Sequence, residues 1–530
     1  MGLYLNPDNE KFKKIVSSEI YIDKTGLLNM TNRLFREEKN CIAVSHARRF
    51  GKSQAARMID AYYSRGCCSE ELFTGLEISS AADYKEHLNR YNVIHFDISS
   101  FADEYKETIV SELKRYLYDD LKREYPDVDY SKTVASVLYQ IYESTKTADG
   151  AGIKFVIVID EWDCIVRNFS DSPEIVHEYL QFLHSLFKSN ESQAFLGIGY
   201  ITGILPIKKI ENESALNNFI EYTMTDPDKT ASYFGFTEEE VGKLCDRYQM
   251  PFDSVKEWYN GYVFENLHMY NPDSVCMAMI KHKLRSYWKN TSAFSSVNRF
   301  ISLNFDGLKE SVIKMLNGDR VSVDTETFQN DLSVINSRDD ALTALIHLGY
   351  LGYDSERKKA YIPNYEVAVA FKSALATGNW TKIADSIQKC EDLLWATIEG
   401  DSSKVAEFVA LAHEAYTSVL KYNDENSLSC AITMAYFTAP AYYNVIREFP
   451  SGKGFADIAL IPRSDSGNMP AMIIELKYDK DADSALNQIK EKRYNGKLKG
   501  YSDRILVVGI NYSKDTRNYE CVIETLDGLS

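Results

Sequence analysis

The sequence predicts an α/β protein in three sections, and three observations predict it. Up to about residue 205, short apolar runs alternate with longer amphipathic stretches, the pattern of a parallel sheet covered on both faces. Within that pattern Phe50-Gly51-Lys52-Ser53 follows one apolar run, and Val156-Ile157-Val158-Ile159 leads into Asp160-Glu161. Near the far end, Asp457 on one apolar run is followed by Glu475-Leu476-Lys477 on the next, with a helix and a further strand behind them.

A chain of 530 residues, 45% of them hydrophobic, is too long for one core. Domain-size priors give about three domains, drawn here at 1–210, 211–378 and 379–530. The net charge of −17 excludes a protein that coats nucleic acid through its overall field, so contact with DNA must come from local basic patches. Nine cysteines, with no C-x-x-C pair and two adjacent at Cys67-Cys68, suit no disulfide framework, and a reducing cytoplasmic location is expected. The polar start, Met1 to Glu10, has no signal-peptide pattern. No apolar run approaches the roughly 20 residues that span a bilayer, so no membrane partner is expected.

The first section offers strands at Ile42–Val44, Val93–Ile98, Phe155–Ile159 and Phe195–Ile204, with helical patterns such as Gln54–Tyr63 and Lys106–Leu121 between them. From Glu211 to Tyr287 the chain turns polar and aromatic, densest at Trp258-Tyr259-Asn260-Gly261-Tyr262. Aromatics at helical or turn spacing are more often core than a base-stacking platform. Leu342–Leu348 reads as a helix, followed by Tyr350–Tyr353, a charged turn at Asp354–Lys359 and Ala360–Ile362, an order that resembles a winged helix. In the last section helical patterns run to Leu420. Strands follow at Ala456–Ile461 and Ala471–Leu476, then a basic helix at Ala485–Tyr494 and a strand at Ile505–Ile510.

A P-loop works because backbone N–H groups wrap phosphates while the following helix offers its positive N-terminus. Here the apolar run from Cys41 to Val44 supplies the strand, Ser45–Gly51 the loop, and Gln54 onward the helix. Lys52 would reach the terminal phosphates and the Ser53 hydroxyl would hold magnesium. Arg49, Phe50 and Gly51 complete the loop, in which His46 replaces the first glycine of G-x-x-x-x-G-K-S. Asp160 would hold magnesium through water and Glu161 would activate the attacking water, at the end of a buried strand. Arg48 and Arg49 either offset phosphate charge or are held by Asp160 or Asp163. Thr202, beside Gly203, is either a sensor of the terminal phosphate or a buried strand end.

Metal-dependent phosphodiester cleavage needs carboxylates for magnesium, an activated water and a cation for the developing charge. Asp457 and Glu475 are the expected ligands, with the Leu476 carbonyl assisting. Lys477 shares a strand face with Glu475, because side chains alternate with period 2, and the two could equally form a surface ion pair. Lys490, Lys492, Arg493, Lys497 and Lys499, with Tyr494, could track a nucleic-acid backbone, although a charge run is usually a solvated face. Glu414 and Glu448 are candidates for a further acid. No zinc spacing and no G-x-S-x-G elbow occurs.

Taken in order, these residues resemble a known group: bacterial AAA-ATPase-like proteins with a C-terminal PD-(D/E)XK nuclease-superfamily domain. The stretches that carry the resemblance are Arg48–Ser53, Ile159-Asp160-Glu161, Leu216-Asn217-Asn218, Phe234–Val241, Trp258–Tyr262 and Tyr270-Asn271-Pro272. Pro363–Val367, Ile474–Lys477 and Gln488–Tyr494 continue it almost to the end. The resemblance implies ATP and magnesium as cofactors, Gln488 and Tyr494 as further members of the nuclease site, and tolerance of His46. The group often has arginine between the glycine and aspartate of the turn, where this chain has Phe455-Ala456, which puts substrate contact in doubt before metal binding. A homo-oligomer stands among the expected partners, because AAA-like modules often complete their sites with an arginine from a neighbour.

Three readings of function follow. The first is an ATP-regulated, magnesium-dependent nuclease, in defence or mobile-element maintenance. The second is a non-cutting NTPase switch whose nuclease fold binds DNA or protein. A DNA-binding regulator using the winged segment ranks last, since Ala341–Leu348 is not basic.

Overall fold

Four strands of the first sheet lie where the apolar runs predict them: β1 (Cys41–Ser45), β2 (Asn92–Asp97), β3 (Phe155–Asp160) and β4 (Leu196–Gly203). A fifth, β5 (Phe219–Thr223), falls in the stretch that reads as polar and aromatic. The computed structural model describes the chain except for residues 1, 106–107, 149, 208–215, 289–292, 304, 306, 333, 378–388, 421–424, 452–453, 464–465, 467, 492–501, 503, 517 and 527–530.

The strand order is β2-β3-β4-β1-β5, and every neighbouring pair is parallel. β1, β3 and β4 are buried along their whole length, as strands covered on both faces must be. β4 therefore lies between the loop-bearing β1 and the acid-bearing β3. Because all five strands run the same way, their carboxyl ends bring Ser45, Asp160 and Gly203 to one edge, where ligands of open α/β sheets bind.

The chain divides into two compact units, residues 1–284 with 322–363, and residues 285–321 with 364–530. The three sections drawn from the sequence are thus distributed over two units. Within the first unit, β6 (Phe236–Thr237), β7 (Tyr262–Phe264) and β8 (Leu267–Tyr270) make a small antiparallel sheet in the order β6-β8-β7. Trp258, Tyr259 and Tyr262 are all buried there. After a two-residue strand, β9 (Val321–Ser322), the helix Arg338–His347 precedes the hairpin of β10 (Gly352–Asp354) and β11 (Lys359–Tyr361). This is the helix-then-hairpin order expected from the sequence.

The second unit holds a mixed sheet of β12 (Tyr443–Ser451), β13 (Gly454–Pro462), β14 (Ala471–Tyr478), β15 (Ile505–Ser513) and β16 (Asn518–Leu526), paired in chain order. Only β14 and β15 are parallel, which demands a crossover, and the helix Ala482–Glu491 supplies it. Its Leu486 joins Ala459, Ile461, Ile473 and Val507 in the core under the sheet. Among the described residues, no helix is long and apolar enough to cross a membrane.

Candidate functional site

β1 ends at Ser45, and the chain turns through His46–Gly51 into the helix Lys52–Tyr63. Two turn residues take left-handed backbone, Arg49 at φ 69° and Gly51 at φ 92°. A Cβ on Gly51 would meet nothing within 4 Å, so conformation rather than room calls for glycine. His46, at the place of the missing glycine, is not among the residues with positive φ, so a side chain fits there without backbone strain. Its ring is fully buried near Phe234 and Phe264, with centroids 5.3 and 5.9 Å away. Burial, helped by Lys52, pushes its pKa down to about 3, so the imidazole is neutral.

Lys52 is buried too, and its Nζ donates to the carbonyls of His46 and Ala47 at 2.8 and 2.9 Å. An ammonium has three donors, so two anchor it and one remains for a phosphate oxygen. Burial pushes its pKa down to about 8, against the pull of Glu161, Asp160 and Asp163. Ser53 is exposed on the first turn of the helix. The Phe50 carbonyl accepts the Gly235 N–H at 3.0 Å, and its ring stands edge-on to Tyr262 at 5.1 Å. The small antiparallel sheet and the turn before it thus brace the loop. Arg49 pairs with Asp273, on the helix Pro272–Lys281, rather than with either acid considered from the sequence.

Asp160 is buried at the end of β3, and the Thr202 hydroxyl on β4 donates to its carboxylate. The same hydroxyl accepts the Glu161 N–H at 3.3 Å. Glu161 itself takes φ 52°, so the backbone turns sharply just past the strand. Its carboxylate meets Arg167 at 3.3 Å, and Arg167 also binds Asp163 at 2.7 Å. Asp163 is fully buried and accepts the N–H groups of Ile204 and Leu205 at 3.2 and 3.0 Å. Arg167 was missed from the sequence. Its signal was an acid and an arginine four residues apart, a spacing that places both on one helical face.

In the second unit, β13 and β14 pair through Ile458–Ile474, Ala459–Ile473 and Leu460–Met472. Asp457 and Glu475 are the next residues on the two strands, just past the last of these pairs. There the Asp457 carboxylate accepts the Leu476 N–H at 2.7 Å, taking the place of a strand carbonyl. Glu475 is only 2% exposed; its Oε1 accepts from Lys477 Nζ at 3.1 Å and from the Gln488 side chain on the helix Ala482–Glu491. The structure thus brings Asp457, Glu475, Lys477 and Gln488 together. Tyr494 and the basic run from Lys492 to Lys499 lie outside the described residues, as does the Lys490 side chain.

Glu414 is exposed. Glu448, at φ 47°, falls between the pairs Arg447–Ile458 and Phe449–Ala456, opposite Asp457, and is exposed. Among the described residues no three His, Cys, Asp or Glu side chains gather into a metal-holding group, so neither joins Asp457 and Glu475. The two carboxylates make an all-oxygen donor set, which suits a hard cation such as magnesium.

Residues 9–211 match the family described as predicted AAA-ATPase, and residues 424–521 match the PD-(D/E)XK nuclease superfamily. An uncharacterized protein in the vnfD 5′ region of Azotobacter chroococcum mcd 1 is 22% identical over 518 residues, 94% of each chain. Among solved structures, the Walker-type ATPase of Pyrococcus abyssi is 10% identical, covering 66% of this chain and 96% of its own, with a TM-score of 0.35. The ORC2 protein of Aeropyrum pernix is 12% identical, covering 69% and 99%, with a TM-score of 0.26. The chain is thus similar to the predicted AAA-ATPase family in its first part and to the PD-(D/E)XK nuclease superfamily in its last.

Proposed function

We propose that this protein binds ATP at its P-loop and uses it to regulate magnesium-dependent phosphodiester cleavage of nucleic acid by its second unit. The observation that carries the proposal is that Asp457 and Glu475 stand on neighbouring strands just past the Ile458–Ile474 pair, Asp457 bound to the Leu476 amide and Glu475 3.1 Å from Lys477. Carboxylate oxygens on neighbouring strands are the donors a hard divalent cation takes. Magnesium held by Asp457 and Glu475 would polarise the scissile phosphate and lower the pKa of a bound water. Lys477 then steadies charge on the phosphate oxygens, while Gln488 keeps Glu475 turned toward the site. In the first unit, Ser53 and Asp160 are the residues that would hold magnesium beside the nucleotide, Lys52 meets the terminal phosphates, Thr202 positions Asp160, and Glu161 takes a proton from the attacking water.

The test is cleavage of plasmid and single-stranded DNA with magnesium, with and without ATP, by the parent and by Glu475→Ala. Cutting that disappears in the variant and depends on ATP is the expected result. A second reading, a non-cutting nucleotide switch that binds DNA or protein, is favoured by one observation: Glu475 is only 2% exposed and its Oε1 already accepts from Lys477 and Gln488. Retained DNA binding without cutting under any nucleotide or metal condition would support it.

A further inference from the structure

Arg167 has no part in either reading above, yet it touches the residue on which nucleotide hydrolysis turns. Glu161 is constrained at three points. Its backbone sits at φ 52°, its N–H is held by Thr202 at 3.3 Å, and its Oε2 is held by Arg167 Nη2 at 3.3 Å. Among the described residues Oε1 accepts no hydrogen bond, and the side chain is 32% exposed. Arg167 has little freedom of its own. Its side chain is 8% exposed, and its Nε donates to Asp163 Oδ2 at 2.7 Å. The same Asp163 oxygen accepts the N–H groups of Ile204 and Leu205, just past the end of β4. Both holds on Glu161, through Thr202 and through Arg167, therefore trace back to the end of one strand.

We infer that Arg167 is a positioning residue for Glu161: it fixes one carboxylate oxygen and leaves the other to accept the proton of the attacking water. This rests on the reading of the first unit as an ATP-hydrolysing site. In that step the water oxygen bonds to the terminal phosphorus as its proton passes to Oε1. The bond from that phosphorus to the bridging oxygen breaks, and its electron pair leaves with ADP. Arginine suits the task because its planar fork can hold two acceptors at a fixed separation, here Asp163 and Glu161, where a lysine offers one compact charge. A guanidinium tied to buried Asp163 cannot follow Glu161 if it swings, so the free oxygen keeps a constant direction.

The experiment is a double-mutant cycle in the full chain with Arg167→Lys and Glu161→Gln, reading kcat for ATP hydrolysis and the Kd of a fluorescent ATP analogue. Arg167→Lys alone is expected to lower kcat on the order of 10- to 100-fold, as loss of positioning does, with Kd unchanged. In the Glu161→Gln background the same change should have no further effect. An equal loss in both backgrounds, a parallel loss of nucleotide affinity, or a kcat equal to the parent's would overturn the inference while leaving the ATPase reading intact. A parent that binds nucleotide without hydrolysing it would overturn both. Arg167→Lys keeps a cation beside Asp163. Should it fail to fold, Asp163→Asn with Arg167→Gln removes both buried charges together and enters the same cycle, where the same outcomes support or overturn the inference.

Discussion

Lys52 and Lys477 are both largely buried and both sit beside carboxylates of their own unit, but they are held in opposite ways. Lys52 is anchored by two backbone carbonyls, which carry no net charge, and it stands at the N-terminus of a helix. Glu161, Asp160 and Asp163 act on its charge from nearby, but none of them hydrogen-bonds its Nζ among the described residues. Lys477 is anchored by a carboxylate, that of Glu475, so its charge is already paired. On the proposed function, the first arrangement would receive phosphate directly, and the second would receive a cation first and phosphate through it. The anchor of each lysine, carbonyl in one and carboxylate in the other, thus separates the two sites.

The largest effects should fall on the residues that set this contrast. Lys52→Ala is expected to lower ATP hydrolysis by about 10²–10³-fold, measured as phosphate release, because it removes a donor aimed at developing charge. Cleavage that depends on ATP should fall with it, while the magnesium concentration that gives half of the remaining rate stays that of the parent, and a shift there would break the distinction. Gln488→Ala should act at the other site, costing about 10–100-fold in metal affinity, read from magnesium titration of cleavage. A smaller effect is expected from Thr202→Val, which keeps the shape but takes a donor from buried Asp160. The cost should be about 1–3 kcal/mol, read as a lowered urea midpoint.

The smallest prediction concerns pH. His46 in the first unit and His413 in the second are buried, which lowers their pKa values to about 3 and about 4. An unfolded histidine takes up a proton near pH 6.5, so below that value the unfolded chain binds protons that the folded chain refuses. Stability is therefore present above pH 6.5 and lost as pH falls. From pH 7.5 to 6.0 each should cost about 1 kcal/mol or less, checked by urea midpoints of the parent and of His413→Phe.

Much of this was legible in the sequence, and the strands missed in the two five-stranded sheets share a cause. The strands ending at Ser45, Asp160 and Gly203, and those bearing Asp457 and Glu475, were found because buried strands read as apolar runs. β5, β12 and β16 were missed, and all three are edge strands. An edge has a neighbour on one side only and tolerates polar residues, as Glu221, Arg447, Glu448 and Glu520 show. His46 holds a motif position usually given to glycine, yet only Gly51 of the two takes a backbone that demands it. Arg49 was legible as a loop residue but its partner was not, because Asp273 lies 224 positions away and only the fold brings it near.

The hydrogen bond from the Leu476 amide to Asp457 has a use beyond holding two strands together. Most amides of a strand are shielded from deuterium by the neighbouring backbone, and their exchange reports on the sheet opening. This one is shielded by a carboxylate that a cation would also seek. Its exchange rate is therefore an intrinsic occupancy gauge, readable residue by residue without substrate, label or turnover.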